Sequence, residues 1–145
     1  MNLGFYVDSQ QPTETTNKIY NTLNTFVESK KVDNVSLFYN DIDFNPIQPK
    51  FGCFNSTDIW YFTGNLVITA IKNALAIGKV INKFKPFFLY DSEKGSPLEM
   101  IAISAKMPIL VTNEEDAKYI KRITGANATI LPDGNVENIV EVLNE

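Results

Sequence analysis

The sequence predicts an α/β domain with a mainly parallel sheet of five to six strands and helices on both faces. Three observations carry that expectation. Short apolar runs alternate with amphipathic segments along the whole chain. The runs end in polar loops rich in helix-capping residues. The length, 145 residues, suits a single domain over residues 1–145, with a core that needs no disulfide or metal staple. Alternating strand and helix implies parallel strands joined by right-handed crossovers.

Leu3-Gly-Phe-Tyr-Val7 is a short apolar run ending at Asp8, and reads as a buried first strand. Pro12 and Thr13 introduce a helix whose Ile19, Leu23, Phe26 and Val27 share one face. Val35 to Tyr39 is the second strand, ending in Asn40-Asp41. Residues 42–56 lack a period, and Pro46, Pro49 and Gly52 mark a long loop of the kind that often carries function. Ile59 to Phe62 reads as the third strand, closed by Thr63-Gly64, with Trp60, Tyr61 and Phe62 expected in the core. Leu66 to Val80 is apolar on most sides and reads as a buried helix.

Phe87 to Tyr90 is the fourth strand, and Ser96-Pro97-Leu98-Glu99 opens a helix with a capping box. Ile109-Leu110-Val111 is the fifth strand, and Thr112-Asn-Glu-Glu115 repeats the capping pattern. Gly125 ends that helix. Thr129 to Leu131 is a short sixth strand, Pro132-Asp133-Gly134 a turn, and Val136 to Leu143 the closing helix. The whole order is that of a three-layer Rossmann or flavodoxin-like sandwich.

Composition narrows the functions. Hydrophobic residues make up 44% and charged residues 21%, a globular balance. The net charge of −4 argues against a nucleic-acid binder or a membrane-surface role. The most apolar stretch, Leu66 to Ile81, carries Lys72 and Lys79 and is too short to span a bilayer. With no histidine, a His general base, a Ser-His-Asp triad and His-ligated metal are excluded within this chain. Cys53 is the only cysteine, which suits a small apolar role and a reducing compartment. No export signal opens the sequence, so a cytoplasmic protein is expected and two N-x-[ST] patterns, at Asn55 and Asn127, are read as chance.

Ligands of open α/β sheets sit beyond the carboxyl ends of the strands. The candidate ligand contacts are therefore Asp8, Ser9, Thr13, Thr63, Gly64, Asp91, Glu93 and Thr112. Capping and solvation are the commoner roles of such residues. Asp8 with Asp91 or Asp41 offers carboxylates for Mg²⁺, and a nucleotide is the other ligand considered. Thr13-Glu14-Thr15 resembles the flavodoxin loop that grips the FMN phosphate. Thr16 replaces its glycine and Lys18 its last hydroxyl, so FMN is not expected. No Walker loop or GxGxxG fingerprint is present.

From Phe87 onward the chain resembles the carboxyl-terminal half of GT-B glycosyltransferases of the retaining family-4 kind. The strand Phe87-Phe-Leu-Tyr90 is followed by Ser92 and Glu93. Ile101 stands at the second position of the family's E-x7-E, then come Ala102, Pro108, the strand Ile109-Leu110-Val111 and Thr112. The tail from Leu131 to Glu137 is also similar. The resemblance implies a Rossmann-like fold and places Glu93 where the family's first Glu sits, near the donor sugar. The second Glu, which holds the ribose hydroxyls, is replaced by Ile101, and the family's basic pair has no match. GT-B catalysis also uses a cleft between two Rossmann domains, and this chain has room for one.

Two readings follow. The first is a non-catalytic binding or protein-interaction module on a glycosyltransferase-like Rossmann scaffold, joined to a protein partner or a second copy. Phe44, Phe51, Phe54 and Trp60 would supply its surface, although burial in the core is the commoner fate of such residues. The second is a small transferase or hydrolase using a nucleotide or nucleotide-sugar at the strand ends.

Overall fold

The computed structural model describes residues 1–78, 83–91 and 95–143. Seven parallel strands form one sheet in the order β3-β2-β1-β4-β5-β6-β7. They are β1 (Asn2–Ser9), β2 (Asn34–Asp41), β3 (Gly52–Asn55), β4 (Gly64–Ile68), β5 (Phe84–Leu89), β6 (Ile109–Val111) and β7 (Thr129–Ile130). That order, winding outward from β1 and from β4, is Rossmann-like. The described chain divides into two compact units. Residues 1–66 with 83–85 form the first, and residues 67–78 with 86–91 and 95–143 the second.

In the first unit β1 pairs with β2, and β2 with β3, so that Phe5 lies beside Leu37 and Leu37 beside Cys53. The two-residue period of a strand turns Phe5 and Val7 to one face, and Gly4, Tyr6 and Asp8 to the other. Helix α1 (Glu14–Ser29) buries Ile19, Tyr20, Leu23 and Phe26. Thr13 caps it, its hydroxyl oxygen accepting from the Thr16 amide at 3.1 Å.

Between β3 and β4 the chain forms a 3₁₀ helix, Ser56–Tyr61, where a strand over 59–62 was expected. The Asn55 side chain accepts from the Thr57 amide at 3.0 Å and so starts the turn. Aromatic strand propensity is outweighed here by that cap. Only Ile59 of this helix is buried. The following Phe62 packs edge-on against Phe38, with ring centroids 5.4 Å apart.

In the second unit α2 (Ile71–Ile77) and α3 (Pro97–Ser104) are neighbours, as are α3 and α4 (Glu114–Thr124), and α5 (Ile139–Leu143) closes the chain. The expected helix over 66–80 is instead the end of β4 followed by α2, with residues 79 and 80 outside the described set. Leu66, Val67 and Ile68 are all buried, as in a central strand covered on both faces. Such a run has no period to separate it from a buried helix. The capping box of α3 forms as expected, with Ser96 and Glu99 exchanging side-chain and backbone bonds. At α4 the cap is Asn113 rather than Thr112, and Gly125 ends the helix at φ 76°.

Among the described residues there are therefore seven strands. β3 lies inside the expected loop, and its short polar-flanked sequence Gly52-Cys-Phe-Asn55 carries little alternation.

Candidate functional site

The carboxyl ends of β1 and β2 carry a chain of polar side chains. Tyr6 and Asp8 point to the same face of β1, and Asn40 stands beside them on β2. The Tyr6 hydroxyl donates to Asn40 Oδ1 at 2.7 Å, and Asn40 Nδ2 donates to Asp8 Oδ1 at 3.1 Å. A buried phenol thus orients an amide, which orients a half-buried carboxylate. Ser9 Oγ accepts from the Gln11 amide at 3.1 Å and shapes the turn into α1. Asp8, Ser9 and Thr13 therefore sit in one region, with Ser9 and Thr13 engaged in backbone turns.

Thr63 and Gly64 lie elsewhere. Thr63 precedes β4 and Gly64 opens it, so both lie at its amino end and not at the strand carboxyl end expected of them. Asn2 Nδ2 donates to the Thr63 carbonyl at 3.2 Å. Asn2 and Asp8 lie at opposite ends of β1, about 20 Å apart at strand rise. Thr63 and Gly64 therefore do not join Asp8. In the second unit Asp91 is exposed just past β5, and Thr112 is half-buried after β6. Asn113 Nδ2 reaches Thr112 Oγ1 at 3.4 Å. Glu93 falls outside the described residues. Ile101, at the position of the glycosyltransferase-like second Glu, is 44% exposed on α3. No three Asp, Glu, Cys or His side chains gather into a metal-holding group among the described residues.

A second network on the α1 side was not legible in the sequence. Gln10 Nε2 donates to the Tyr20 hydroxyl at 3.0 Å, and Cys53 adjoins the same hydroxyl. Burial raises the pKa of Tyr20 and of Cys53, opposed in each case by one hydrogen bond, from Gln10 and from Tyr20 respectively. Cys53 lies in a strand rather than in the expected loop, and burial makes its thiol hold its proton more tightly. Both groups hold their protons more tightly when folded. Their contribution to stability is complete below the unfolded pKa values and is lost as pH rises through the folded ones. Denaturant unfolding should therefore show stability falling above about pH 8.5, where an unfolded cysteine begins to ionise. Constant stability from there through pH 10 would contradict this.

The loop after β2 is fastened to α1 by asparagines. Asn45 Nδ2 donates to the Gln10 carbonyl at 3.2 Å and to Asn17 Oδ1 at 3.1 Å, and Asn45 Oδ1 accepts from the Ile47 amide. Asn24 Nδ2 donates to the Gln48 carbonyl at 3.0 Å, and Asn24 Oδ1 accepts from the Lys50 amide at 2.7 Å. Lys50 also pairs with Glu28. This accounts for several of the chain's asparagines as loop fasteners.

Beyond those fasteners, apolar side chains face water. Ile42, Phe44, Phe54, Trp60 and Tyr61 are exposed, Phe44 at 80% and Tyr61 at 87%. Phe51 alone of the four named aromatics is buried, edge-on to Tyr20 at 5.3 Å. The core expectation for Phe44, Phe54, Trp60 and Tyr61 is thus overturned. The 3₁₀ helix is held by Ile59, which turns its neighbours outward.

Comparison of the chain with family models, curated proteins and solved structures gave no match. No helix of the described residues is long and apolar enough to cross a membrane.

Proposed function

We propose that this chain is a non-catalytic protein-interaction module on a glycosyltransferase-like Rossmann scaffold, working in the cytoplasm. One observation carries the reading. Five of the eight exposed large hydrophobic residues among those described, Ile42, Phe44, Phe54, Trp60 and Tyr61, fall within residues 42–61. Single exposed apolar residues are ordinary, but a concentration in one segment marks a contact surface. Trp and Tyr are also the residues on which interface energy concentrates. The acidic balance of the chain keeps nucleic acid outside the partner class.

The test is a photo-cross-linking side chain placed at Trp60, with a control at exposed Lys85, in cells that make the protein. A discrete adduct specific to position 60 is expected, and mass spectrometry identifies it as another protein or a second copy. The identified partner should bind the purified chain at least about tenfold more weakly when Trp60 and Tyr61 are alanine. Both residues are exposed, so these changes should move folding stability by no more than about 0.5 kcal/mol. Absence of a position-specific adduct, or unchanged affinity, would reject the reading.

The Tyr6–Asn40–Asp8 chain favours a second reading, a small nucleotide- or nucleotide-sugar-dependent transferase or hydrolase. It expects a thermal shift with a nucleoside diphosphate and Mg²⁺ that Asp8→Ala abolishes.

A further inference from the structure

In the second unit a groove of about 400 Å³ runs along α4, lined by Glu114, Ala117, Lys118, Lys121, Arg122 and Ile130. Its floor is apolar, from Ala117 and the Ile130 side chain, which is 41% exposed. Its flank is basic. Lys118, Lys121 and Arg122 recur at three- and four-residue spacing, so they share a helix face. All three are exposed, and among the described residues none has a carboxylate within ion-pair distance. Lys121 donates to the Gly125 carbonyl at 3.0 Å, and Arg122 lies over the Tyr119 ring at 5.6 Å, which holds its guanidinium in place. Glu114 marks the opposite end of the groove.

The groove borders an open strand. Among the described residues β7 is the outermost strand of the sheet, paired only with β6. The Leu131 amide donates to the Val111 carbonyl at 2.9 Å, which turns residues 129 and 131 toward β6. In a parallel ladder, alternate residues bond to opposite sides, so Ile130 presents its N–H and C=O outward. An edge with unpaired backbone groups is a template for another strand. Here the flanking side chains choose which strand. Three cations on a chain of net charge −4 favour an acidic segment over a second copy of this chain.

We infer that the β7 edge and the basic flank of α4 form a docking groove for an extended acidic peptide of a partner protein. The peptide adds as a strand beside β7. Its backbone bonds to Ile130, and the alternate side chains on the α4 side supply both apolar groups over Ile130 and Ala117 and carboxylates that meet Lys118, Lys121 and Arg122. Main-chain bonding supplies affinity, and the cations supply selectivity. The inference does not depend on the aromatic segment of the first unit.

The probe is a short capped peptide with serine at every second position and glutamate and valine in turn at the others, so that both share one strand face, dye-labelled and titrated with the full chain by fluorescence polarisation. It should bind, and the lysine–valine version should bind at least about tenfold more weakly. The Lys118→Glu/Arg122→Glu variant should lose the acidic peptide by a similar factor while keeping the native circular dichroism spectrum. Hydrogen exchange at the Ile130 amide should slow when the acidic peptide is bound. No binding of the acidic peptide, equal binding of both peptides, or an affinity unmoved by the charge reversal would overturn the inference. So would binding that leaves Ile130 exchange unchanged, which would mean charge attraction without strand addition. If the double variant unfolds, the same titration with Lys118→Gln and Arg122→Gln singly decides, and unchanged affinity in both overturns the inference.

Discussion

Replacing Phe88 with alanine should lower the unfolding free energy by about 3–5 kcal/mol, the range found when a buried aromatic is truncated. Phe88 has no exposed surface and sits on β5 opposite Ile109 of β6. Its amide donates to the Pro108 carbonyl at 3.0 Å, and its ring meets Tyr90 edge-on at 6.5 Å. The backbone bond survives the substitution, so the loss reports the ring alone. It combines lost transfer energy with a void that parallel strands on a fixed ladder cannot close. Against a total of about 5–15 kcal/mol for a domain, this brings the protein close to unfolding. Urea denaturation at neutral pH measures it. A loss under about 1 kcal/mol would mean that the surroundings collapse into the space.

Gly64→Ala should be comparably damaging for a different reason. Gly64 has φ 138°, a conformation that side chains rarely adopt. A Cβ there would stand 2.5 Å from the Asn2 carbonyl oxygen. That neighbour is backbone of β1, held in the ladder with β2 through Asn2 and Asn34, and cannot swing aside as a side chain would. Backbone strain of about 1–3 kcal/mol adds to an overpacking cost of about 1–3 kcal/mol. The expected result is a lower midpoint in urea with an unchanged slope, since the surface exposed on unfolding is the same. A wild-type midpoint would show that the start of β4 shifts freely away from β1.

The two substitutions also mark what could be read from sequence. Phe88 was placed in a buried strand because Phe87-Phe-Leu-Tyr90 is a short apolar run after a proline. The same reasoning located β1, β2 and β6, the helix after Pro12 and Thr13, and the cap at Ser96. It failed at β4, where Leu66-Val-Ile68 continues into an equally apolar helix and no period shows where strand gives way. That failure moved the expected strand to Ile59–Phe62 and carried Thr63 and Gly64 to the wrong end of the sheet. Thr63-Gly64 itself did not separate the two cases, since a glycine suits the entry to a strand as well as an exit.

The site was partly legible. Asp8 was singled out at the end of the apolar run Leu3–Val7, but its orienting partner Asn40 lies 32 residues away. Pairing of β1 with β2 in that register is a tertiary fact. Gln10, Tyr20 and Cys53 were missed because they come from a loop, a helix and an unexpected strand. The aromatics of residues 42–61 were noticed, yet composition favoured the core for them. Their exposure follows from the Asn55 cap and the Ile59 anchor, neither of which a hydrophobic count registers.

The asparagine fasteners have a consequence for association. Ordering a loop residue costs about 1–2 kcal/mol of backbone entropy. In the segment after β2, bonds from Asn24 and Asn45 to the chain's own backbone impose that ordering when the protein folds. A partner meeting Phe44 then meets a segment whose backbone is already set. Its association should be fast and nearly insensitive to osmolytes that favour compact chains, because little disorder remains to be lost at the encounter.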